Sequence, residues 1–368
     1  MTQDKNNTLK SGFTTGAASA AAAKAALQML LDDAPPDAVE ITFLSGGTRT
    51  IPVHRCRRET ADTAVCTIIK DAGDDPDITH GAEIGARVTR HSVGPAVEVM
   101  ITGGAGVGRV TKPGLEIPPG EPAINTGPRK MIRHEIRDCL ASRSQSGSVR
   151  VEVFVPLGEA LAKKTLNARL GILGGISILG TTGIERPMSH DAYVATIDSS
   201  LSVAAAAGCR RVVLATGRRS ERFAQIRWPE LPAESFIQIG DFFERSLRLA
   251  VQHGVGEVML AVFFGKAIKM AQGVGHTHAA KSSLSLPVLA DWTQEATGDP
   301  AIAQKIRQAN TARQAFGFIH KACPQVLTHV GKRVLASARR FAGQSMGPGC
   351  VIFDYAGSAV FEQEASSQ

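Results

Sequence analysis

The chain has 368 residues, of which 43% are hydrophobic and 20% are charged. This balance excludes an intrinsically disordered chain and predicts a folded protein that is long enough for two domains with cores of their own. The formal net charge of +7 favours an anionic ligand, but the chain has only two Tyr and two Trp. Because this leaves little aromatic surface on which bases could stack, we expect no nucleic-acid partner.

No segment is predicted to direct the chain into a membrane or out of the cell. A run of about 18 apolar residues is missing, and the first ten residues, MTQDKNNTLK, lack the apolar stretch of a signal peptide. The six cysteines are scattered without C-x-x-C spacing, which favours free thiols. We therefore expect a cytoplasmic protein with free thiols and no membrane partner.

The first half of the chain predicts an α+β domain, to which we assign residues 1–165. Residues 17–31 contain eight alanines and predict a helix, which ends before the Asp and Pro residues that follow. A second helix is predicted from Pro128, which suits the first helical turn, to residue 141. Apolar and β-branched patterns predict strands over residues 39–44, 49–53, 64–70, 97–102 and 149–155.

The second half, residues 166–368, predicts an α/β domain with a mostly parallel sheet, because strand and helix patterns alternate. Ligands of such sheets bind beyond the carboxyl ends of the strands. We expect those ends at residues 181–183, 216–218, 240–241 and 265–266. The chain beyond residue 299 reads as mostly helical to 343, followed by a strand at 350–354. The alternating elements are strands at 172–179, 211–215, 235–239 and 258–264, and helices at 192–207, 219–227 and 242–253.

Two Thr-Thr-Gly segments predict a ligand site. One is Gly180, Thr181, Thr182 and Gly183, between a predicted strand and a helix, and the other precedes the alanine-rich helix at residues 14–16. Such joints present free backbone N–H groups and small residues to the polar atoms of a ligand. We expect the cofactor to contact the joint at residues 180–183.

An acidic segment, KDAGDDPDITHG, starts at residue 70 and places several aspartates beside His80. One interpretation is a solvated Asp-Pro turn. The other is a catalytic role for Asp74, Asp75 and His80, because crowded carboxylates favour retention of a proton on one of them, as a proton acceptor requires. The spacing does not fit a calcium loop, which needs a closing glutamate.

Basic residues at the start of the second helix are candidates for substrate binding. Arg129, Arg133 and Arg137 recur every four residues and so share one side of the helix. Two interpretations remain open: a solvated basic stripe, and a set of guanidinium groups that bind carboxylates of the substrate. Arg129 and Lys130, nearest the helix N-terminus, are the better candidates for holding an anion.

Three further patterns have structural and functional interpretations. GGAGVG, at residues 103–108, is not a dinucleotide loop because prolines rather than a helix follow it. Two interpretations of this motif remain, a structural glycine-rich crossing and a segment that lines the ligand cleft. His276 and His278 lack further ligands at metal-site spacing, so we expect no metal. Asp241 follows a predicted strand and is either a cofactor ligand or the N-cap of the next helix.

Taken together, several segments resemble the cobalt-precorrin-5B (C-1)-methyltransferase family of cobalamin biosynthesis. They are LKSGFTTGAASAAAAKAA, KDAGDDPDITHG, ITGGAGVGRVTKPGLEIPPGEPAIN, PRKMI and GISILGTTGIERPMS. The resemblance implies C-methylation of cobalt-precorrin-5B at carbon 1 to give cobalt-precorrin-6A, with S-adenosyl-L-methionine as methyl donor and a polycarboxylate tetrapyrrole as substrate. Cofactor binding rests on this resemblance, because the acidic-glycine loop of common methyltransferase folds is missing.

The resulting expectations for the site fall into three groups. The catalytic residues are Asp74, Asp75 and His80. The cofactor contacts Gly180, Thr181, Thr182, Gly183 and Asp241, and the substrate contacts Thr14, Thr15, Arg129 and Lys130. A non-catalytic corrinoid carrier and a nucleic-acid-binding module are the alternative functions, and a homo-oligomer is compatible with the sequence.

Overall fold

The computed structural model describes residues 9–92, 97–187, 189–278, 286–343 and 346–365. The chain divides into two compact units, Met1–Ser189 and His190–Gln368, which are considered separately below. The boundary lies later than the predicted 165/166. The reason is that the strands between residues 172 and 185 pair with strands of the first unit rather than joining the second sheet.

The first unit is an α+β structure, as predicted. Its elements are β1 (Gly12–Phe13), α1 (Thr15–Asp32), β2 (Ala38–Thr42), β3 (Thr48–Pro52), β4 (Arg55–Thr60), β5 (Thr63–Ile69), β6 (Glu83–Ser92), β7 (Glu98–Gly103), β8 (Gly106–Val107), β9 (Arg109–Val110), α2 (Thr126–Ala141), β10 (Ser148–Phe154), α3 (Gly158–Ala162), β11 (Ile172–Leu173), β12 (Gly175–Ile176) and β13 (Ile184–Glu185).

A five-stranded sheet and α1 form the core of this unit. The strand order is β4-β5-β6-β10-β7, antiparallel except for the parallel pair β10–β7. Helix α1 packs against β5, β6 and α2, and its alanines are fully buried. Alanine combines high helix propensity with a small side chain, so the helix can approach the sheet and α2 closely.

Two predictions for the first unit need correction. Residues 172–179 do not form one strand but the short strands β11 and β12, which pair with β9 and β8. Cys56 and Cys66 are directly opposed in β4 and β5 and are joined by a disulfide, whereas the sequence predicts free thiols. Cys139, Cys209, Cys323 and Cys350 are free, as predicted.

The glycine-rich segment at residues 103–108 is a close backbone crossing. Gly106 has φ of +73° and pairs with Gly175, and a Cβ on Gly106 would lie 1.9 Å from the carbonyl oxygen of Val155. Gly158 approaches the same point, where a Cβ would lie 2.0 Å from the Gly106 carbonyl oxygen. Glycine is therefore required sterically here, which favours the structural interpretation of this motif.

The second unit is an α/β structure with a mostly parallel sheet, as predicted. Its elements are α4 (His190–Ala206), β14 (Arg211–Ala215), α5 (Arg218–Arg227), β15 (Phe236–Gln238), α6 (Phe243–Gln252), β16 (Glu257–Phe263), α7 (Phe264–Ala271), α8 (Leu286–Thr297), α9 (Pro300–Arg307), α10 (Ala312–Ala322), α11 (Gln325–Ala342), β17 (Gly349–Phe353) and β18 (Ala359–Gln363).

The sheet order is β15-β14-β16-β17-β18, parallel except for the terminal pair β17–β18. Alternate residues of the central strands point to opposite faces. Val212 and Leu214 belong to the core shared with α4, α6 and α11, whereas Val213 and Ala215 pack with the apolar residues of α5. The near-continuous apolar strands follow from burial on both faces. Within the described residues, no helix is long and apolar enough to cross a membrane.

Candidate functional site

The two Thr-Thr-Gly segments of the first unit lie against each other. Thr14 caps α1, and its hydroxyl accepts a hydrogen bond from Ala17 N at 3.2 Å. Thr15 Oγ1 accepts from Leu179 N at 3.0 Å and donates to Leu179 O at 3.3 Å. Thr14 N donates to Gly183 O at 3.0 Å. Because both hydroxyls are buried and used within the protein, their principal role is to join the two segments.

Glycine is required at both ends of the second segment. Gly180 has φ of +130° and Gly183 has φ of +92°. A Cβ on Gly180 would lie 2.3 Å from Thr14 Oγ1, and one on Gly183 would lie 2.5 Å from the Phe43 ring. Thr181 and Thr182 are exposed. These two residues are therefore the part of the segment that a ligand can reach. The segment lies in the first unit and not at a strand end of the parallel sheet, which corrects the position expected from the sequence.

The acidic segment is held to Lys10 and Ser11, the residues that precede β1. Asp71 Oδ1 accepts from Gly73 N at 2.8 Å, and this hydrogen bond is the main cause of a lowered pKa at Asp71. Asp74 is exposed, and its carboxylate accepts from Lys10 N at 2.6 Å. His80 Nδ1 accepts from Ala72 N at 3.1 Å.

A buried lysine, Lys70, pairs with two carboxyl groups at the other side of this segment. Its side chain is 1% exposed, and its ammonium contacts Asp77 Oδ2 and lies 3.5 Å from Glu185 Oε2. Burial acts to raise the pKa of Asp77, but the Lys70 ammonium and the hydrogen bonds from Thr79 outweigh it, so that pKa is lowered. Burial, supplemented by the charges of Asp77 and Asp75, raises the pKa of Glu185 despite Lys70.

The pKa values of Asp77 and Glu185, two carboxyl groups that share the Lys70 ammonium, are thus shifted in opposite directions. Such a pair separates a group that stays ionised from one that takes up a proton readily. Of the predicted catalytic residues, Asp75 acts electrostatically on Glu185. Sequence reasoning missed Lys70 and Glu185. Their only sequence signal is a lysine that opens an acidic run and a glutamate that follows the second Thr-Thr-Gly.

The start of α2 is less available to a substrate than the sequence suggests. Arg129 Nε donates to Ile124 O at 2.8 Å, and its pKa is lowered, mainly by burial. The carboxylate of Glu116 accepts from Thr126 N at 3.0 Å, so the helix N-terminus already holds an anion of its own chain. Lys130 is exposed and is the cationic side chain here that an external anion can reach.

In the second unit, the carboxyl ends of β14, β15 and β16 form an edge at the switch point of the sheet. The chain continues from β14 to β15 on one side and returns to β16 on the other, the position at which ligands of open parallel sheets bind. Lys266, in the first turn of α7, spans this edge. Its Nζ donates to Thr216 O at 3.0 Å and to Gly240 O at 2.9 Å.

Asp241 is the acidic residue of this edge. Its Oδ1 lies 3.1 Å from Lys266 Nζ and accepts from Thr277 Oγ1 at 2.9 Å. Burial acts to raise its pKa, but the Lys266 ammonium and Thr277 outweigh it and the pKa is lowered. Asp241 does not cap α6, because that helix begins at Phe243 without a side-chain cap. The carboxylate is therefore held ionised for a purpose other than helix capping.

Aromatic residues surround Asp241. The Tyr193 ring stacks on Phe242 with centroids 5.3 Å apart, and burial, with the charges of Asp241 and Glu221, raises the pKa of Tyr193. His276 packs edge-on against Phe242 at 4.8 Å. On the neighbouring loop, a Cβ at Gly217 would meet no atom within 4 Å. A group of three or more metal-ligating side chains does not occur in the described part of the chain.

The structure therefore distributes the predicted site residues over both units. In the first unit it brings Thr14 and Thr15 against residues 180–183, and it places Asp74, Asp75 and His80 in the segment around Lys70. Arg129 is engaged by the backbone carbonyls of Ile124 and Ile101, at the start of α2, where a Cβ on Gly127 would lie 2.6 Å from Gly180 O. In the second unit, Asp241 is at the carboxyl edge of the sheet with Lys266, which the sequence analysis did not select.

Comparison with known proteins gives consistent matches along the chain. A family model described as CbiD matches residues 2–187, and one described as CbiD, C-terminal domain, matches residues 276–364. A curated protein of Nitratidesulfovibrio vulgaris named cobalt-precorrin-5B C(1)-methyltransferase is 45% identical over 95% of this chain and 92% of its own length. One of the same name from Salinispora arenicola is 43% identical over 96% of this chain and 92% of its own length.

Among solved structures, the crystal structure of a cobalamin biosynthesis protein (CbiD) from Archaeoglobus fulgidus matches with 29% sequence identity. The match covers 71% of this chain and 79% of that protein, with a TM-score of 0.40. The family assignment rests on the sequence matches, which extend over nearly the whole chain and include both Thr-Thr-Gly segments and the acidic segment. The chain belongs to the CbiD family.

Proposed function

We propose that this protein is a C-methyltransferase that methylates cobalt-precorrin-5B at carbon 1, giving cobalt-precorrin-6A in cobalamin biosynthesis. The observation that carries the proposal is the 45% identity, over 95% of the chain, to a protein named for this activity. The fold is compatible with it, since an open parallel sheet with a polar switch point is a common place for small-molecule ligands.

The proposed methyl donor is S-adenosyl-L-methionine, with S-adenosylhomocysteine as the second product. The edge around Asp241 fits such a ligand: an ionised carboxylate is available to accept from ribose hydroxyls or an amine, and the neighbouring loop has space at Gly217. The donor supplies an activated sulfonium methyl group, so the protein contributes chiefly orientation and exclusion of water. In this proposal Lys266 keeps Asp241 ionised and fixes the loops on both sides of it.

We assign the first unit to proton balance and substrate contact, again as a proposal. Asp74, Asp75 and His80 remain the catalytic candidates, and the position of Asp75 near Glu185 supports a proton-holding role for this segment. Gly180 and Gly183 would shape the loop that exposes Thr181 and Thr182. Thr181 and Thr182 are accessible to a ligand and Lys130 to a substrate carboxylate, whereas the side chains of Thr14, Thr15 and Arg129 would act by positioning these loops.

The proposal is tested by incubating the purified protein with cobalt-precorrin-5B and methyl-labelled S-adenosylmethionine and analysing the corrinoid by mass spectrometry. We expect one labelled methyl group per macrocycle, located at carbon 1, with one equivalent of S-adenosylhomocysteine. Corrinoid binding without methyl transfer would instead identify a carrier and refute the proposal. A cytoplasmic location is part of the proposal, and fractionation of cells that express the protein tests it.

A further inference from the structure

A second polar surface lies on the same edge of the parallel sheet, where β16 and β17 end. We propose that this surface, formed by Arg219, Arg313, Phe263 and Tyr355, binds carboxylate groups of the tetrapyrrole substrate. The inference rests on the proposed function for the identity of the ligand. The site itself is argued from the arrangement of these four side chains.

The first guanidinium is fixed by a strand end and an aromatic ring. Arg219, in the first turn of α5, donates from Nη2 to Tyr355 O at 2.9 Å. Its Cζ lies 5.2 Å from the centroid of the Phe263 ring, at the end of β16. Cation–π contact and a single backbone hydrogen bond hold the guanidinium in place while leaving most of its five N–H donors for another acceptor.

The second guanidinium is fixed from the opposite side. Arg313, in the first turn of α10, has its Cζ 5.0 Å from the Tyr355 ring. The rings of Phe263 and Tyr355 are stacked, with centroids 6.3 Å apart and planes 13° from parallel. The start of α10 is at the carboxyl end of β16, because a Cβ on Gly265 would lie 3.5 Å from Ala312 Cβ. Two cations therefore flank one pair of stacked rings.

The charge on this surface is not balanced within the unit. Arg219 and Arg313 are exposed, and no carboxylate of the described chain lies within salt-bridge distance of either guanidinium. Asp354, next to Tyr355 in sequence, uses its Oδ1 to accept from the backbone N–H groups of residues 356–358. Glu221, two residues from Arg219, accepts from Gln238 Nε2 at 2.6 Å. Arg218 is also exposed and adds a third cation. The surface is thus prepared for an external anion.

Carboxylates fit this arrangement better than a single compact anion. An arginine guanidinium presents a planar fork that matches a carboxylate bidentately, and two forks separated by stacked rings suit a ligand with carboxylates on different arms. The proposed substrate carries several acetate and propionate side chains around a large ring. The Asp241 end of the edge would then serve the methyl donor, and the Arg219–Arg313 end the substrate.

The test is a fluorescence titration of the full-length protein with uroporphyrin, a stable tetrapyrrole with eight carboxylates. We expect the wild type to bind and Arg219→Gln and Arg313→Gln each to weaken binding by about tenfold, the effect of one lost charge-assisted contact. Arg339→Gln is the matched control. Arg339 is exposed in the last turn of α11, which leads into the start of β17 and so lies at the amino edge of the sheet. Its loss should not change the affinity.

Several results would overturn the inference. One is unchanged uroporphyrin affinity in Arg313→Gln, whose side chain makes no hydrogen bond to another of the described residues. A second is displacement of uroporphyrin by S-adenosylhomocysteine, which would assign the surface to the donor. A third is loss of affinity for a single-stranded oligonucleotide in these variants while uroporphyrin binding persists. Absence of methyl transfer by a wild type that binds uroporphyrin through these arginines would refute the proposed function and leave the site standing.

Discussion

Replacement of Lys70 by methionine should strongly destabilise the first unit. The Lys70 side chain is 1% exposed, and the side chains of its ion-pair partners, Asp77 and Glu185, are 22% and 21% exposed. Methionine has a similar length, and the backbone hydrogen bonds of residue 70 to Gly81 and Ala82 remain. The substitution therefore removes the charge from between two carboxyl groups with little loss of packing.

The expected magnitude follows from the cost of leaving buried charges unpaired. Removing one partner of a buried ion pair costs about 3–5 kcal/mol. Because both carboxyl groups retain about one-fifth of their exposure, solvent reduces this cost, and we expect about 2–4 kcal/mol. For a unit of this size each kcal/mol lowers Tm by roughly 2–4 °C, so Tm of the first unit should fall by about 5–15 °C.

The assay is thermal and urea unfolding at pH 7, with Lys10→Met as the control. Lys10 also pairs with an aspartate, at 3.1 Å from Asp71 Oδ2, but its side chain is 66% exposed, so its loss should cost less than about 1 kcal/mol. The Lys70→Met penalty should also shrink at low pH. The lowered pKa of Asp77 means that its contribution is present above the unfolded value near 3.8 and is lost as pH falls through the folded pKa. Equal effects of the two substitutions would refute this account of Lys70.

Four further sets of substitutions test other parts of the structure. Glu185→Gln should stabilise the protein more at pH 8 than at pH 4.5. Because the pKa of Glu185 is raised in the folded protein, the wild-type carboxyl group contributes most to stability below its unfolded pKa, and this contribution is lost as pH rises through its folded pKa. Thermal melts at both pH values test this, and the reverse order would contradict it. Thr15→Val should cost about 1–3 kcal/mol in urea unfolding by leaving the Leu179 N–H unpaired, whereas Leu179 O keeps its hydrogen bond from Gly16 N. Thr15→Ser is the control and should stay close to wild type. Asp241→Asn should raise the Kd for S-adenosylhomocysteine by about tenfold in calorimetric titration, and an unchanged Kd would remove Asp241 from the cofactor site. Asp75→Asn should lower kcat by about 10²-fold and exposed Asp74→Asn by less, and full kcat in both would make the acidic segment structural.

Local sequence patterns predicted most of the elements. The alanine-rich pattern over residues 17–31 corresponds to α1, and the predicted strands at 211–215 and 258–264 correspond to β14 and β16. These predictions succeed because helix propensity and apolar periodicity are properties of consecutive residues. The strands β4 and β6 were missed. Their residues are largely polar or charged. In β6 the buried apolar residues Ile84, Ala86 and Val88 do alternate with Gly85, Arg87 and Thr89, a period-2 signal that the prediction did not use.

Other features were decided by contacts between distant parts of the chain. The sequence by itself determined the two fold classes, the carboxyl-edge loops at Thr216 and Gly240, and the family. Only the tertiary structure decided that residues 180–183 pack on the start of α1, that the Thr14 and Thr15 hydroxyls are used internally, and that Lys70 meets Glu185. The physical reason is that periodicity records how each residue is exposed along its own element. Which partner satisfies a buried charge or hydroxyl depends on burial and pairing that arise only when the elements pack.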